Sequence, residues 1–207
     1  MKKIFILSFI LLCFMQMTAC DPNQHTDAKP VIYLYPETEI EVSVRLDFSG
    51  KLTCTYPAYN DGWKVLAKPD GTLLVPDTGR EYSYLFWEGV TDTEYDMSEG
   101  YVVEGEKTAA FLERVLSEMG LVPREYNEFI VYWLPKMQNN AYNLITFQKE
   151  AYTDSAKLEI TPEPDSLLRI FMVYKPLAEP VQVKEPVIVP FERVGFTVVE
   201  WGGSEIK

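Results

Sequence analysis

Apolar and polar residues alternate along much of the chain with the two-residue period of β-strands. The clearest run covers residues 40–48, in which every second side chain is apolar: Ile40, Val42, Val44, Leu46 and Phe48. Similar runs and short continuous apolar stretches predict strands at residues 31–35, 52–56, 63–67, 72–75, 82–87, 128–134, 143–147, 157–161, 167–174 and 196–201. Because turn residues separate the short strands before residue 90, we predict an antiparallel sandwich over residues 30 to about 90.

Residues 106–119 have instead the spacing of an α-helix. The apolar side chains that form its predicted buried stripe are Phe111, Leu112, Val115, Leu116 and Met119. Gly120 and Pro123 fit the end of this helix, and residues 123–127 are predicted to add a short helical turn.

The C-terminal half returns to strand patterns after this helix. The strands at 157–161 and 167–174 are predicted to pair as a hairpin, and the proline-rich residues 181–190 to cross the fold in an extended form. The sequence therefore predicts an α+β fold of mostly antiparallel β structure. It has a sandwich-like N-terminal part, one main α-helix and a β-rich C-terminal part.

The N-terminus has the pattern of a bacterial lipoprotein signal. Two lysines precede the apolar residues 4–14, and the small residues Thr18 and Ala19 lead directly into Cys20. Eleven residues are too few for a transmembrane helix, which needs about 20. We therefore predict a signal peptide at 1–19 and a lipid on Cys20, which would anchor the protein at the cell membrane facing outside the cytoplasm. A plain secreted protein is the alternative.

The predicted mature protein is one acidic domain behind a short tether. We expect a polar tether at 20–28 and a single compact α+β domain at 29–203, with sub-parts 29–90 and 91–203. Without the signal, 17 Lys and Arg stand against 31 Asp and Glu, a net charge of about −14. This charge argues against nucleic acid as a partner. The chain also has no phosphate-binding loop or dinucleotide motif, which argues against a nucleotide.

Cysteine and histidine are too scarce for many kinds of chemistry. Only Cys54 remains after processing and lipidation, so no intramolecular disulfide can form, and we predict a small buried side chain there. The single histidine, His25, lies in the predicted tether. Ser-His-Asp and Cys-His catalysis and histidine-rich metal sites are therefore not expected within one chain.

Two glutamates next to tryptophans are candidates for catalysis. Glu88 follows Trp87, and Glu200 precedes Trp201, each at the end of a predicted strand. A carboxyl group beside an indole in a dry pocket can act as a general acid, and glycoside hydrolysis requires two carboxyl groups and no histidine. The alternative is that both tryptophans fill the core while both glutamates face solvent or bind loop backbone.

Loop residues supply the remaining candidates. Asp92, Glu94 and Asp96 could bind calcium, although the stretch lacks the glycine and glutamate of an EF-hand, and a solvated acidic loop is the alternative. Otherwise no cofactor is expected. Most aromatic residues lie in predicted strands and are expected to fill the core, whereas Tyr59 and Tyr95 lie in loops where an exposed ring could bind a sugar.

Four phrases of the sequence resemble an uncharacterised family of bacterial, often clostridial, exported proteins and lipoproteins. The phrases are KPVIYLYP at 29–36, YLFWEG at 84–89, EFIVYWLP at 128–135 and GFTVVEWGG at 195–203. The resemblance spans almost the whole predicted mature chain and implies an intact envelope protein. It supplies no catalytic residue.

Three functions agree with these observations. The leading hypothesis is a lipid-anchored binding or interaction module of the cell envelope that recognises a glycan, a peptide or a protein. The first alternative is a histidine-independent enzyme of the glycoside hydrolase type, with Glu88 and Glu200 as its carboxylate pair. The second is a structural or chaperone-like envelope lipoprotein without a small-molecule site.

Overall fold

The protein folds into three layers in a computed structural model that describes residues 24–206. A pair of helices covers one face of a seven-stranded sheet, and a five-stranded sheet packs against the other face. The structure is mostly antiparallel β, so the predicted α+β class is confirmed.

Twelve strands and three α-helices make up these layers. The strands are β1 (His25–Tyr35), β2 (Ile40–Phe48), β3 (Lys51–Tyr56), β4 (Trp63–Ala67), β5 (Leu73–Val75), β6 (Arg80–Tyr82), β7 (Leu85–Thr91), β8 (Tyr101–Glu104), β9 (Tyr142–Gln148), β10 (Ala156–Thr161), β11 (Ser166–Leu177) and β12 (Thr197–Glu205). The helices are α1 (Thr108–Glu118), which follows a 3-10 turn at Gly105–Lys107, α2 (Pro123–Met137) and α3 (Glu150–Ser155).

The N-terminal strands are distributed over both sheets. The seven-stranded sheet has the order β3-β7-β1-β12-β11-β9-β8, and the five-stranded sheet has the order β10-β2-β4-β5-β6. The two sheets form a sandwich, but C-terminal strands contribute to both of them. The predicted hairpin is wrong, because β10 pairs with β2 in one sheet while β11 pairs with β9 and β12 in the other.

Two hydrophobic cores lie on the two faces of the seven-stranded sheet. Alternate residues of each central strand enter different cores: in β1, Val31 and Tyr33 face the helices, whereas Ile32 and Leu34 face the five-stranded sheet. This explains why residues 31–35 of β1 are an unbroken apolar run, since a strand segment buried on both faces has no polar side.

The predicted helix at 106–119 is present as the 3-10 turn and α1. Its end follows the expected chemistry, because Gly120 adopts a φ of 106° that glycine tolerates without strain. The Leu121 N–H then donates to the Leu116 carbonyl, and the Leu121 side chain is buried.

The strand predicted at 128–134 is wrong, because these residues belong to helix α2. The side chains that α2 buries are spaced as on one helix face: Glu125, Phe129, Ile130, Trp133 and Met137. Pro123 occupies the first turn, where its missing N–H costs nothing, and the Glu125 carboxylate accepts from the Val122 N–H at 3.0 Å. These start signals outweigh the strand preference of the β-branched and aromatic residues. Residues 24–206 therefore contain two long helices and not one.

β1 and β12 both extend further than predicted, at the same end of this antiparallel pair. β1 begins at His25, so residues 25–28 belong to the domain and not to the tether. β12 continues through Gly202 and Gly203 to Glu205. A Cβ atom on Gly203 would lie 2.8 Å from Cζ2 of the Trp133 indole, so this glycine lets α2 pack closely on the sheet.

Candidate functional site

Glu88 and Glu200, the predicted catalytic pair, lie on opposite faces of the seven-stranded sheet. Glu88 follows Trp87 along β7 and therefore faces the helices. Burial raises the pKa of Tyr132 on α2, and the negative charge of Glu88 raises it further. Glu200 faces the five-stranded sheet, and β1 separates its strand from β7. Because the sheet stands between the two carboxylates, they cannot act on one glycosidic bond.

Glu200 is instead the centre of a fully buried ion pair. One carboxylate oxygen accepts from Nε of Arg169 at 2.6 Å, and the other accepts from Nε1 of Trp87 at 3.2 Å. The Arg169 guanidinium also donates to the Ala156 carbonyl at 2.6 Å and lies over the ring of Tyr152. Both oxygens of the Glu200 carboxylate and two of the three nitrogens of the Arg169 guanidinium thus have a hydrogen-bond partner, which compensates for burying the pair.

A second buried carboxyl group, that of Asp27, lies near this pair. Its oxygens accept from the Tyr95 hydroxyl at 2.9 and 3.0 Å, and Nε2 of His25 lies 3.8 Å away. Burial, and then the negative charge of Glu200, raises the pKa of Asp27 to about 7. Asp27, Glu200, Arg169, Tyr95 and Tyr152 are called the buried polar cluster below.

The buried polar cluster is sealed from solvent. The side chains of Asp27 and Glu200 have no exposed surface, and that of Arg169 is 9% exposed. A general acid must come within hydrogen-bonding distance of its substrate, and a sugar chain cannot reach these carboxyl groups. The arrangement fits a structural role, in which the cluster joins β1, β11 and β12 between the two sheets.

The predicted binding residues Tyr59 and Tyr95 point into the protein. The Tyr95 ring contacts Phe171, and its hydroxyl binds Asp27, so the prediction of an exposed sugar-binding ring is wrong. The Tyr59 ring packs edge-to-face on Trp63. Its hydroxyl accepts from the Leu46 N–H at 3.0 Å and donates to the Leu46 carbonyl at 3.2 Å. β4 begins at Trp63, which pairs with Val44, so no β4 residue lies opposite Leu46. The Tyr59 hydroxyl takes the place of that missing backbone partner.

We expect Tyr59→Phe to lower the free energy of unfolding by about 1–2 kcal/mol, because both backbone groups of Leu46 lose their partner. Urea unfolding followed by tryptophan fluorescence measures this. Tyr56→Phe is the matched control, since the Tyr56 side chain is exposed, and a change within about 0.5 kcal/mol is expected. Equal effects of the two substitutions would contradict the role assigned to the Tyr59 hydroxyl.

The acidic stretch and Cys54 also differ from expectation. Asp92, Glu94 and Asp96 are exposed, and within residues 24–206 no three carboxylate, histidine or cysteine side chains converge to hold a metal ion. Cys54 is exposed on the edge strand β3, so the prediction of a buried thiol is wrong. Cys20, the predicted lipidation site, lies outside the described residues.

An open strand edge is the feature that the sequence analysis missed. β8 is the last strand of the seven-stranded sheet and pairs with β9 alone. Gly105, directly after β8, donates its N–H to the Ala141 carbonyl in the same register. In an antiparallel ladder alternate residues bond to the partner strand. Tyr101 and Val103 therefore bond to β9.

The N–H groups of Val102 and Glu104 consequently point away from the sheet. Gly100, which precedes them with the same orientation, already donates outward to the Lys184 carbonyl at 3.0 Å. Within the described part of the chain no backbone carbonyl accepts from Val102 or Glu104 on that side. Unpaired edge groups of this kind are the template on which a further strand can add.

A groove of about 700 Å³ runs along this edge. Beside β8 it is lined by Lys107, the last residue of the 3-10 turn, and by Ala110, Phe111 and Arg114 of α1. Pro180 and Val181 also line the groove. An edge strand next to a helix face is the geometry that binds extended peptides in β-strand addition. We call it the β8–α1 groove.

Comparison with known proteins adds one relative. A protein of Butyrivibrio fibrisolvens named "Uncharacterized protein in bglA 3'region" is 39% identical over 95 residues, which cover 42% of this chain and 97% of that protein. No family model matches the chain, and no solved structure matches it.

Proposed function

We propose that this chain, which belongs to the same family as the Butyrivibrio fibrisolvens protein, is a lipid-anchored binding module of the cell envelope. In this proposal the module holds an extended polypeptide segment of a partner in the β8–α1 groove. The segment adds as an eighth strand to the sheet, and the anchor on Cys20 displays the domain outside the cytoplasm.

The open N–H groups of Val102 and Glu104 are the observation that carries this proposal. An extended peptide satisfies them with its carbonyl groups, and a sugar or a helix offers no acceptors at the strand repeat. Phe111 and Val181 supply apolar surface in the groove for side chains of the bound segment. The partner is therefore expected to have apolar residues at every second position.

The enzyme alternative has no comparable support. Its two carboxylates are separated by the sheet, and Glu200 is held by Arg169 in the sealed core. The calcium alternative also lacks three converging ligands among residues 24–206. The β8–α1 groove supports the binding hypothesis, and of the glycan, peptide and protein partners considered we propose a polypeptide.

The lipid anchor has its own test. Among the described residues no helix is long and apolar enough to cross a membrane. We expect the full chain to fractionate with membranes and Cys20→Ser to lose this association, because the acyl chains supply the apolar contact with the bilayer. Membrane fractionation and metabolic labelling with a fatty acid measure both properties. Unchanged membrane association of Cys20→Ser would refute the anchor.

Peptide selection tests the binding site. Random peptides displayed on phage are selected on the soluble chain from residue 24 onwards, and the binders are measured by isothermal titration calorimetry. We expect Val102→Pro to weaken them about tenfold or more, because proline removes the outward N–H, a loss of about 1.4 kcal/mol. The ladder to β9 is unaffected, since proline is tolerated where the N–H faces outward.

Val102→Thr is the matched control, because it keeps the N–H and a β-branched side chain. It should bind the selected peptides like the natural protein, and circular dichroism should show all three proteins folded. Two sets of alternate backbone nitrogens in the ligand can be methylated in turn. Methylation of the set that faces β8 should abolish binding, and methylation of the set that faces away from β8 should not. Selected peptides that bind Val102→Pro and Val102→Thr equally well would contradict strand addition at this edge.

A further inference from the structure

A second cleft, of about 480 Å³, opens on the outer face of the five-stranded sheet. Ser43 of β2 and Lys64 of β4, which are cross-strand neighbours, both line it. The loop at 57–62 lies on one side, and Val75 with Asp77 on the other. The volume falls within the range of about 300–1,000 Å³ that is typical of small-molecule sites.

The loop beside this cleft has a specific backbone shape. Asp61 adopts a φ of 58° and Gly62 a φ of 137°, both in the region that side chains disfavour. A Cβ atom on Gly62 would lie 3.2 Å from Cγ of Arg45. The glycine therefore leaves room for the aliphatic part of Arg45 to lie against the loop.

Charges of both signs line the cleft without neutralising one another. Arg45 and Lys64 are basic, and Asp61 and Asp77 are acidic. Among residues 24–206, Lys64, Asp61 and Asp77 take part in no ion pair, and Arg45 reaches only Glu159, which lies outside the cleft, at 3.8 Å. Lys64, Asp61 and Asp77 are therefore available to a ligand, and the exposed contact of Arg45 with Glu159 is weak enough to be exchanged for one.

We propose that this cleft binds a short peptide with free termini. The carboxylate of such a ligand pairs with Arg45 and Lys64, and its ammonium group pairs with Asp61 and Asp77. A ligand with one charge leaves half of the cleft unmatched, and a neutral sugar leaves all four charges unmatched. The site is separate from the β8–α1 groove and does not depend on the function proposed there.

Chemical-shift titration with the free dipeptide alanyl-alanine tests the proposal on the soluble chain. We expect saturable shifts of the backbone amides of Gly62 and Lys64. Acetylation of the ammonium group or amidation of the carboxylate should each weaken binding about tenfold or more. Asp61→Asn and Arg45→Gln should do the same, and asparagine retains the tolerance for positive φ at that position.

Asp47→Asn and Arg80→Gln are the matched controls, because both residues lie on the same sheet outside the cleft. Both variants should bind the dipeptide as the natural protein does. Blocked dipeptides that bind as tightly as the free one would overturn the proposal, as would the absence of any saturable shift. A shift of the Val102 amide without one at Gly62 would assign the dipeptide to the β8–α1 groove and also overturn it.

Discussion

Arg169→Met is expected to lower the free energy of unfolding by about 3–5 kcal/mol, the cost of leaving a buried charge without its partner. Arg169 is the ion-pair partner of Glu200, whose side chain has no exposed surface. Urea unfolding at neutral pH measures the loss.

Two further variants separate the buried pair from a general effect of losing an arginine. Arg114 forms an exposed pair with Glu118 on α1, and Arg114→Met should change stability by less than about 1 kcal/mol. The double substitution of Arg169→Met with Glu200→Gln should be less damaging than Arg169→Met alone, because residue 200 then carries no charge that needs a partner. Equal effects of Arg169→Met and Arg114→Met would contradict the buried ion pair.

Asp27→Asn is expected to change how stability depends on pH. Burial and the charge of Glu200 raise the pKa of Asp27 from 3.8 to about 7, so the folded state binds this proton more tightly than the unfolded state does. The resulting stabilisation is complete below pH 4 and is lost as the pH rises through about 7. One pKa unit corresponds to about 1.4 kcal/mol, so the loss amounts to at most about 4 kcal/mol.

Asp27→Asn should remove this dependence and be more stable than the natural protein at pH 8. The amide oxygen can still accept from the Tyr95 hydroxyl, and His25, Glu200 and Tyr152 remain around it. Thermal unfolding of both proteins across pH 4–8 measures the difference. Asp47→Asn, on the exposed face of β2, should keep the natural dependence. If Asp27→Asn were less stable at pH 8, Asp27 would be an ionised, paired carboxylate.

Local patterns in the sequence predicted most of the strands and the first helix. The alternation at 40–48 and the apolar run at 31–35 both correspond to strands, because burial on one face or on both leaves a direct trace in the residue order. The same pattern gave a wrong prediction for most of α2, since its β-branched and aromatic residues favour strands. Only the capping interaction of Glu125 and the packing of Trp133 on Gly203 decide for a helix there.

The sites could not be predicted because they depend on which strands become neighbours. Arg169 and Glu200 are 31 residues apart in the chain and meet only because β11 and β12 pair in parallel. The open edge of β8 likewise follows from its last position in the sheet order. Tyr59 and Tyr95 looked like exposed loop residues, and only the long-range contacts of their hydroxyl groups show that they face inward.

Amide hydrogen exchange in the β8–α1 groove tests the central claim most directly. Val102 and Glu104 carry the outward N–H groups, whereas the N–H of Val103 is already bonded to β9. Addition of a selected peptide should slow amide exchange at Val102 and Glu104, because their N–H groups become hydrogen-bonded. The exchange rate of Val103 should stay nearly unchanged. A bound peptide that protects neither Val102 nor Glu104 would contradict strand addition at this edge.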